Sequence, residues 1–211
     1  MELLELTDVN FGECVERMCR AVTDGELIAF PTDTVYGLGG SAFSRKVLDK
    51  LLNVKPDRTA KPTAILMDSL IRLSQFGGDV PGPKIVKLAE AFWPGPLTMI
   101  WQISPSIPKD FQGKDRSLGY RIPHSELLLE VMRRTERPLW ATSANLPGRP
   151  APRLYSELDP AVLDSCDLVI KTKALLRGTA STVVDVRGKQ PIVLRQGAVP
   201  ESEIESVWKK G

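Results

Sequence analysis

Polar residues suited to binding a charged ligand follow an apolar segment that has the character of a buried strand. The segment 27–30 (Leu-Ile-Ala-Phe) leads into 31–40, which reads Pro-Thr-Asp-Thr-Val-Tyr-Gly-Leu-Gly-Gly. In open α/β sheets, loops beyond the carboxyl ends of strands are the usual ligand-binding positions. Glycines there let the backbone approach a ligand, and threonine hydroxyls can hydrogen-bond to it. A glycine-rich turn capped by Thr and Asp fits the spacing equally well, so both interpretations stay open.

A cluster of cations follows the second predicted helix. Lys55, Arg58 and Lys61 are spaced by three residues and bracketed by Pro56 and Pro62. The prolines oppose one long helix and predict a loop. Three such cations suit a polyphosphate, although a solvated surface run is the commoner origin of a cluster like this. The pattern G-x-x-x-x-G-K-[ST] does not occur, so a nucleotide site would use side-chain cations and not a P-loop.

One arginine stands inside a predicted strand. Arg121 belongs to the segment 118–122, whose other residues are Leu, Gly, Tyr and Ile. A buried arginine must be paired with an anion, which is either a protein carboxylate or a substrate carboxylate held bidentately. His124 follows directly, near a helix start, and is expected to cap that helix or lie on the surface. Because it is the one histidine of the chain, a His-rich zinc site is excluded and a Ser-His-Asp triad would have to use it.

Small polar or cationic side chains lie beside three other predicted strands. They are Ser143 and Asn145 after strand 139–142, Ser181 before strand 182–186, and Arg195 after strand 192–194. Such groups can bind phosphate or ribose, and they can equally be local turn formers. Each residue is weak evidence by itself, but polar side chains beside predicted strands recur along the chain.

The elements that would position these residues alternate between helix and strand. Apolar spacing predicts helices over 11–22, 47–52, 85–93, 126–134 and 201–209, with Gly25 and Pro56 as stops. Short apolar runs predict strands over 27–30, 63–67, 97–103, 118–122, 139–142, 168–171, 182–186 and 192–194. The interleaving indicates an α/β sheet with helices packed on it.

Composition narrows the class of protein. The chain has 211 residues, 42% of them hydrophobic and 26% charged, which favours one globular domain over 1–211. A formal net charge of +2 does not favour nucleic-acid binding as the main role. Three cysteines without C-x-x-C spacing, an acidic N-terminus and no apolar run near about 18 residues predict a soluble, cytoplasmic protein without a membrane segment.

Taken in order, the polar segments resemble the YrdC/Sua5 family of threonylcarbamoyl-AMP synthases. The matching residues are 31–39 (PTDTVYGLG), Lys55, Lys61-Pro62, 93–98 (WPGPLT), 121–123 (RIP), 143–145 (SAN), 181–185 (STVVD), Arg195 and Gly197. They cover nearly the whole chain. Each motif is modestly specific, whereas the ordered set is highly specific.

The resemblance implies a twisted, open, mixed α/β sheet with flanking helices around a large basic cavity. It implies an enzyme that converts ATP, L-threonine and bicarbonate into threonylcarbamoyl-AMP and pyrophosphate, with Mg²⁺ accompanying ATP. Further proteins would transfer the threonylcarbamoyl group to transfer RNA, giving the modified nucleoside t6A, and the enzyme itself could contact that RNA.

The resemblance also implies roles for particular residues. L-Threonine would be bound by Thr34, Leu66, Arg121, Ala141 and Ser181. ATP would be bound by Lys55, Arg58, Lys61, Ser117, Ser143, Asn145 and Arg195. Lys55 and Arg58 would act on the reacting phosphates. Such chemistry needs orientation and cations more than acid–base groups, which agrees with a nearly histidine-free chain.

Two positions depart from the family pattern. Asp57 stands where the family commonly has arginine, and the arginine comes one residue later, at Arg58. Because an aspartate would repel a triphosphate, we expect Arg58 to point toward the nucleotide and Asp57 away from it. Leu66 replaces a polar residue of some members. An RNA-binding paralogue without catalysis is the alternative function, and Asp57 gives some weight to an inactive paralogue.

Overall fold

A computed structural model describes residues 1–42, 44–56, 64–77, 80–103, 107 and 117–210 of the protein. Within this part of the chain, ten strands form one sheet in the order β1-β8-β2-β3-β7-β4-β6-β5-β9-β10. The strands are β1 (Glu2–Glu5), β2 (Ile28–Pro31), β3 (Tyr36–Ser41), β4 (Ala64–Leu66), β5 (Leu97–Gln102), β6 (Ser117–Arg121), β7 (Leu139–Ser143), β8 (Leu168–Lys171), β9 (Thr182–Asp185) and β10 (Ile192–Arg195). Four neighbouring pairs are parallel and five are antiparallel. The expected mixed α/β sheet is confirmed.

The five predicted helices are confirmed and are interleaved with the strands in sequence, and the structure adds two short helices, Ile71–Gly77 and Pro160–Ser165, that were not predicted. They are α1 (Phe11–Asp24), α2 (Arg45–Val54), α3 (Ile71–Gly77), α4 (Pro83–Phe92), α5 (Glu126–Thr135), α6 (Pro160–Ser165) and α7 (Glu201–Lys209), with a short 3₁₀ helix at Tyr155–Glu157. Gly25 ends α1 with a left-handed φ of 66°, which confirms it as the stop. Ser125 caps α5 by accepting from the Leu128 amide, and the neighbouring His124 is exposed. Among the described residues, no helix has both the length and the apolar character needed to cross a bilayer.

The prediction of a loop over 31–40 is wrong for its second half. Tyr36–Ser41 is strand β3, which pairs with β2 and β7 in the middle of the sheet. Glycines at 37, 39 and 40 lower β-propensity and hid this strand. Gly39 is required by close packing, because a Cβ there would lie 1.7 Å from the Trp140 carbonyl oxygen. The residues 32–35 therefore form a hairpin loop between two central strands.

The two faces of the sheet carry different layers. One face includes Leu38, Ile65, Met99 and Tyr120 and packs with α2, α3, α4, α6 and α7 in the larger apolar cluster. The other face, which includes Phe30, packs against α1 and α5. Met18 of α1 and Leu128 and Val131 of α5 belong to the same apolar cluster. Paired residues on adjacent strands point to the same face, so the second face can be followed across the sheet.

A single row of paired residues explains where this second face opens. The row runs Leu168, Ile28, Gly39, Ala141, Ala64, Gly119, Ile100 from β8 to β5. Large side chains at the β8–β2 end bury against α1 and α5. Toward β6 the row consists of glycine and alanine, which are small and leave space above the sheet. The change from large to small residues marks the border between core and cavity.

Candidate active site

A cavity of about 670 Å³ lies over the open half of this face. Its lining comes from the 32–35 loop and from strands β3, β4, β5, β6, β7, β9 and β10. Ala64, Gly119 and Ala141 form part of its floor. A Cβ on Gly119 would lie 2.9 Å from the Thr98 Cγ2 atom and 3.6 Å from the Ala64 Cα atom. The floor is therefore as deep as the sheet backbone allows.

The 32–35 loop is held rigid by one hydroxyl. Thr32 Oγ1 accepts from the amides of Thr34 (3.1 Å) and Val35 (3.2 Å) and donates to the Val35 carbonyl (2.7 Å). The hydrogen shared with Thr34 Oγ1, 2.9 Å away, must then come from Thr34. Thr34 Oγ1 also accepts from Arg121 Nη1 at 3.2 Å. A ligand hydroxyl that reaches Thr34 must consequently donate its own hydrogen.

Arg121, at the end of β6, is fixed by three hydrogen bonds. Nε donates to the Gly95 carbonyl at 2.9 Å, Nη1 donates to Thr34 Oγ1, and Nη2 donates to Asp33 Oδ1 at 2.5 Å. The Arg121 and Asp33 side chains are only 7% and 10% exposed. Of the two partners left open by the sequence, the protein carboxylate is therefore present.

The charge of Arg121 is compensated but not cancelled by its surroundings. Burial lowers the pKa of Arg121 below its ordinary value, Asp33 opposes that shift, and the positive charge of Arg177 adds to it. Arg121 stays protonated at any ordinary pH because the unperturbed pKa of arginine lies so high. Two of its five N–H groups, one on each terminal nitrogen, have no partner among the described residues. They can receive one further anion, and Arg121 lines the cavity.

A second arginine, Arg195 at the end of β10, also lines the cavity. Arg195 is an exposed residue whose guanidinium donates to the Ser181 carbonyl (Nη2, 2.8 Å) and to Ser181 Oγ (3.1 Å). Ser181 Oγ also shares a hydrogen bond of 2.8 Å with Thr98 Oγ1. Partial burial and the charge of Arg121 lower the pKa of Arg195. No carboxylate among the described residues lies within ion-pair distance of it, so its charge remains available to a ligand.

Lys55 points toward the loop after β7. Its ammonium donates to the Ser143 carbonyl at 2.5 Å and to Asn145 Oδ1 at 3.1 Å, and the residue is buried. Ser143 Oγ donates to the same Asn145 oxygen at 2.5 Å. The three residues form one network, of which Ser143 lines the cavity.

The cavity unites seven of the predicted site residues. Its lining includes Thr34, Leu66, Arg121, Ala141, Ser181, Ser143 and Arg195, and therefore all five residues predicted for threonine. Lys55, Ser117 and Asn145 are not part of the lining; Ser117 is buried at the start of β6. Arg58, Lys61 and Asp57 lie outside the described residues, so their predicted roles and orientation stay predictions.

Asp33 and Thr98, to which sequence reasoning gave no role, are among the residues that the structure brings to the site. Asp33 pairs with Arg121, and Thr98 lines the cavity beside Ser181. Both belong to the motifs that carry the family resemblance. The signal was therefore present, but a pairing over 88 residues of sequence could not be deduced from spacing.

Metal ligands are scarce in this part of the molecule. Among the described residues, no group of three His, Cys, Asp or Glu side chains is arranged to hold a metal ion. The described cavity lining itself has arginines but no carboxylate. The described residues alone would not hold a divalent cation, which would need further oxygen ligands from a bound substrate.

Together, the mixed sheet and the cavity lined by two arginines define an α/β protein with a site suited to an anionic ligand. The Sua5_yciO_yrdC family model, described as "Telomere recombination", matches residues 20–197. That is well over half of the chain, and the protein belongs to this family.

Individual relatives agree with this assignment. A threonylcarbamoyl-AMP synthase of Pyrococcus abyssi is 32% identical over 88% of this chain and 54% of its own, so the chain spans about half the length of that relative. A threonylcarbamoyl-AMP synthase of Xanthomonas axonopodis is 30% identical over 83% of this chain and 95% of its own. The solved structure of P. abyssi Sua5 complexed with L-threonine superposes with a TM-score of 0.90 at 29% identity, covering 98% of this chain and 61% of that one.

Proposed function

We propose that the protein is an L-threonylcarbamoyladenylate synthase, which joins ATP, L-threonine and bicarbonate with release of pyrophosphate. One observation carries the proposal. All five residues predicted to bind threonine, which come from five separate segments of the chain, line one cavity. The relatives' names and the threonine complex of P. abyssi Sua5 support the same activity.

Threonine would lie with its carboxylate on the two unpartnered N–H groups of Arg121. A bidentate guanidinium–carboxylate pair fixes the orientation of the amino acid as well as its position. The threonine hydroxyl would donate to Thr34 Oγ1, whose own hydrogen is committed to Thr32. The amine is then directed into the cavity.

The nucleotide would extend toward Arg195 and Ser143. Arg195 carries a charge that no described carboxylate neutralises, which suits a phosphate. Lys55, Arg58 and Lys61 would add cations from the segment before β4. Mg²⁺ would enter bound to ATP and contribute charge neutralisation at the phosphates.

In the reaction, the uncharged amine of threonine condenses with bicarbonate to a carbamate and water. A carbamate oxygen forms a bond to the α-phosphorus, and the bond to pyrophosphate breaks. The ionisable groups of the described lining are Arg121, Arg195 and Tyr36, and none of them titrates near neutral pH. The protein would therefore act by orienting the reactants and stabilising negative charge.

Transfer of the activated group to transfer RNA would fall to other proteins. An acyl-adenylate is an activated anhydride, and an amine of the RNA would displace AMP from it. The three cysteines are free thiols, which suits a reducing, cytoplasmic setting for this step.

The experiment that tests the proposal is ATP–pyrophosphate exchange. Labelled pyrophosphate should enter ATP when threonine and bicarbonate are both present, and only then. H124A, which changes the exposed histidine, is the matched control and should exchange like the wild type. Exchange that is absent, or that does not depend on threonine, contradicts the proposal and favours the RNA-binding alternative.

A further inference from the structure

We infer that Asp33 is a positioning residue, which acts on the substrate through Arg121. The inference rests on the proposed function, since it takes Arg121 as the group that binds the threonine carboxylate. Asp33 stands between two threonines of the cavity lining, yet it does not line the cavity itself. Its carboxylate accepts from Arg121 Nη2 at 2.5 Å, and both side chains are nearly buried.

The guanidinium group of Arg121 is held in place by the protein. Three of its nitrogens are each fixed by a different acceptor: the Gly95 carbonyl, the Thr34 hydroxyl and the Asp33 carboxylate. Gly95 is itself anchored, because its amide donates to the Ile122 carbonyl at 2.8 Å. Among these three acceptors only Asp33 carries a charge, and a charge-assisted bond is roughly twice as strong as a neutral one. Asp33 is therefore the acceptor that sets the orientation of the plane.

Asp33 is in turn held in place by hydrogen bonds of the loop that carries it. The Thr32 hydroxyl accepts from two successive backbone amides and closes the loop around the aspartate. The Thr34 carbonyl accepts from the Gly178 amide at 2.8 Å, which fixes the other side of the loop. The carboxylate thus has a defined place before any ligand binds. The position of the Asp33 carboxylate then fixes the position of the Arg121 guanidinium group.

Asp33 also compensates the charge of Arg121 before a substrate binds. A buried cation without an anion is unfavourable and would turn toward water or other acceptors. Asp33 removes this tendency while leaving one N–H on each terminal nitrogen of Arg121 unpartnered among the described residues. The ligand then meets a guanidinium already in position, so little ordering remains to be done on binding.

Two substitutions of Asp33 separate position from charge. D33N removes the charge and keeps an oxygen that can accept from Nη2. D33E keeps the charge and displaces it by one methylene. Positioning predicts that both substitutions raise the KM for threonine: D33E by about tenfold or more, because it displaces the guanidinium group, and D33N by about fivefold, because a neutral oxygen holds Nη2 more weakly than a carboxylate does. The KM for ATP should stay within about twofold for both.

A double-mutant cycle with R121M completes the test. If Asp33 acts only through Arg121, adding D33N or D33E to R121M changes the KM for threonine by less than about twofold. Independent losses that multiply would instead show that Asp33 contacts the substrate directly, and would overturn the inference. So would a D33E variant that equals the wild type while D33N is impaired.

Failure of the proposed function would appear as absent exchange in the wild type, whereas the cycle distinguishes failure of the inference from a wrong assignment of Arg121. If R121M leaves the KM for threonine unchanged, the assignment of Arg121 to the substrate is wrong. If R121M raises it and D33E does not, only the positioning role of Asp33 is wrong. Because R121M with D33N removes both charges of the pair, this double variant supplies a folded reference that carries no unpaired buried charge.

Discussion

The two arginines of the cavity differ in what neutralises them. Arg121 is buried and paired with Asp33, whereas Arg195 is exposed and bonded to neutral oxygens of Ser181. The first arrangement gives a fixed geometry with little net charge, which suits a small carboxylate that must be oriented. The arrangement of Arg195 keeps its full positive charge, which suits a phosphate, because a phosphate needs electrostatic attraction more than a fixed orientation. Under the proposed function, the two arginines would thereby bind different anions, the threonine carboxylate and a nucleotide phosphate.

The largest expected effect is that of R121A. It should weaken threonine use by roughly 10- to 150-fold, because a charge-assisted contact contributes about 1.5–3 kcal/mol. It also leaves the Asp33 carboxylate buried without its cation, so the free energy of unfolding should fall by about 3–5 kcal/mol. Chemical denaturation and threonine titration measure the two effects. A stable R121A protein would mean that the buried pair is not structurally important.

R195M should lower ligand affinity with little loss of stability, whereas R121A should lower both. We expect ATP affinity to fall by roughly 10- to 150-fold for loss of a charged contact. No described carboxylate is orphaned, so the melting temperature should fall by less than about 4 °C. R133M, which removes an exposed arginine from α5, is the control for loss of a surface cation. An R195M protein that binds ATP normally but threonine poorly would reverse the division between the two arginines.

Amino-acid choice tests the Arg121 side of the cavity more finely. Valine should be used at least about 100-fold less well than threonine, because Thr34 and Ser181 lose a hydroxyl partner. Serine lacks one methyl and should be used roughly tenfold less well. O-Methylthreonine should fail as valine does, since Thr34 Oγ1 needs a donor. Adenylate formation at matched concentrations measures all four, and equal use of valine and serine would show that the hydroxyl is not recognised.

The smallest expected effect is that of L66V. Leu66 is buried, lines the cavity and also packs in the α1–α5 cluster, and under the proposed function its side chain would contact the threonine methyl. Losing one methylene should reduce the preference for threonine over serine by roughly two- to fivefold. I65V is the matched control, because Ile65 precedes it in β4 and packs on the opposite face. Both variants should lose similar stability, and a change of preference in I65V would point to packing as the cause.

Much of this protein is determined locally by its sequence. The bounds of β8 and α7 agree with the predictions, and Gly25 ends α1, because apolar periodicity and helix stops depend on neighbouring residues alone. The five residues expected to bind threonine were likewise identified from motif order, and one cavity contains them all.

Tertiary structure alone decided the rest. Strand β3 exists because its glycines fit against β7, a contact that no local propensity reports. Asp33 became the partner of Arg121, and Lys55 turned toward Ser143 and Asn145, across 88 to 90 residues of sequence. A buried charge takes whatever counter-charge or acceptor the fold brings within hydrogen-bond distance, and spacing along the chain does not specify that neighbour.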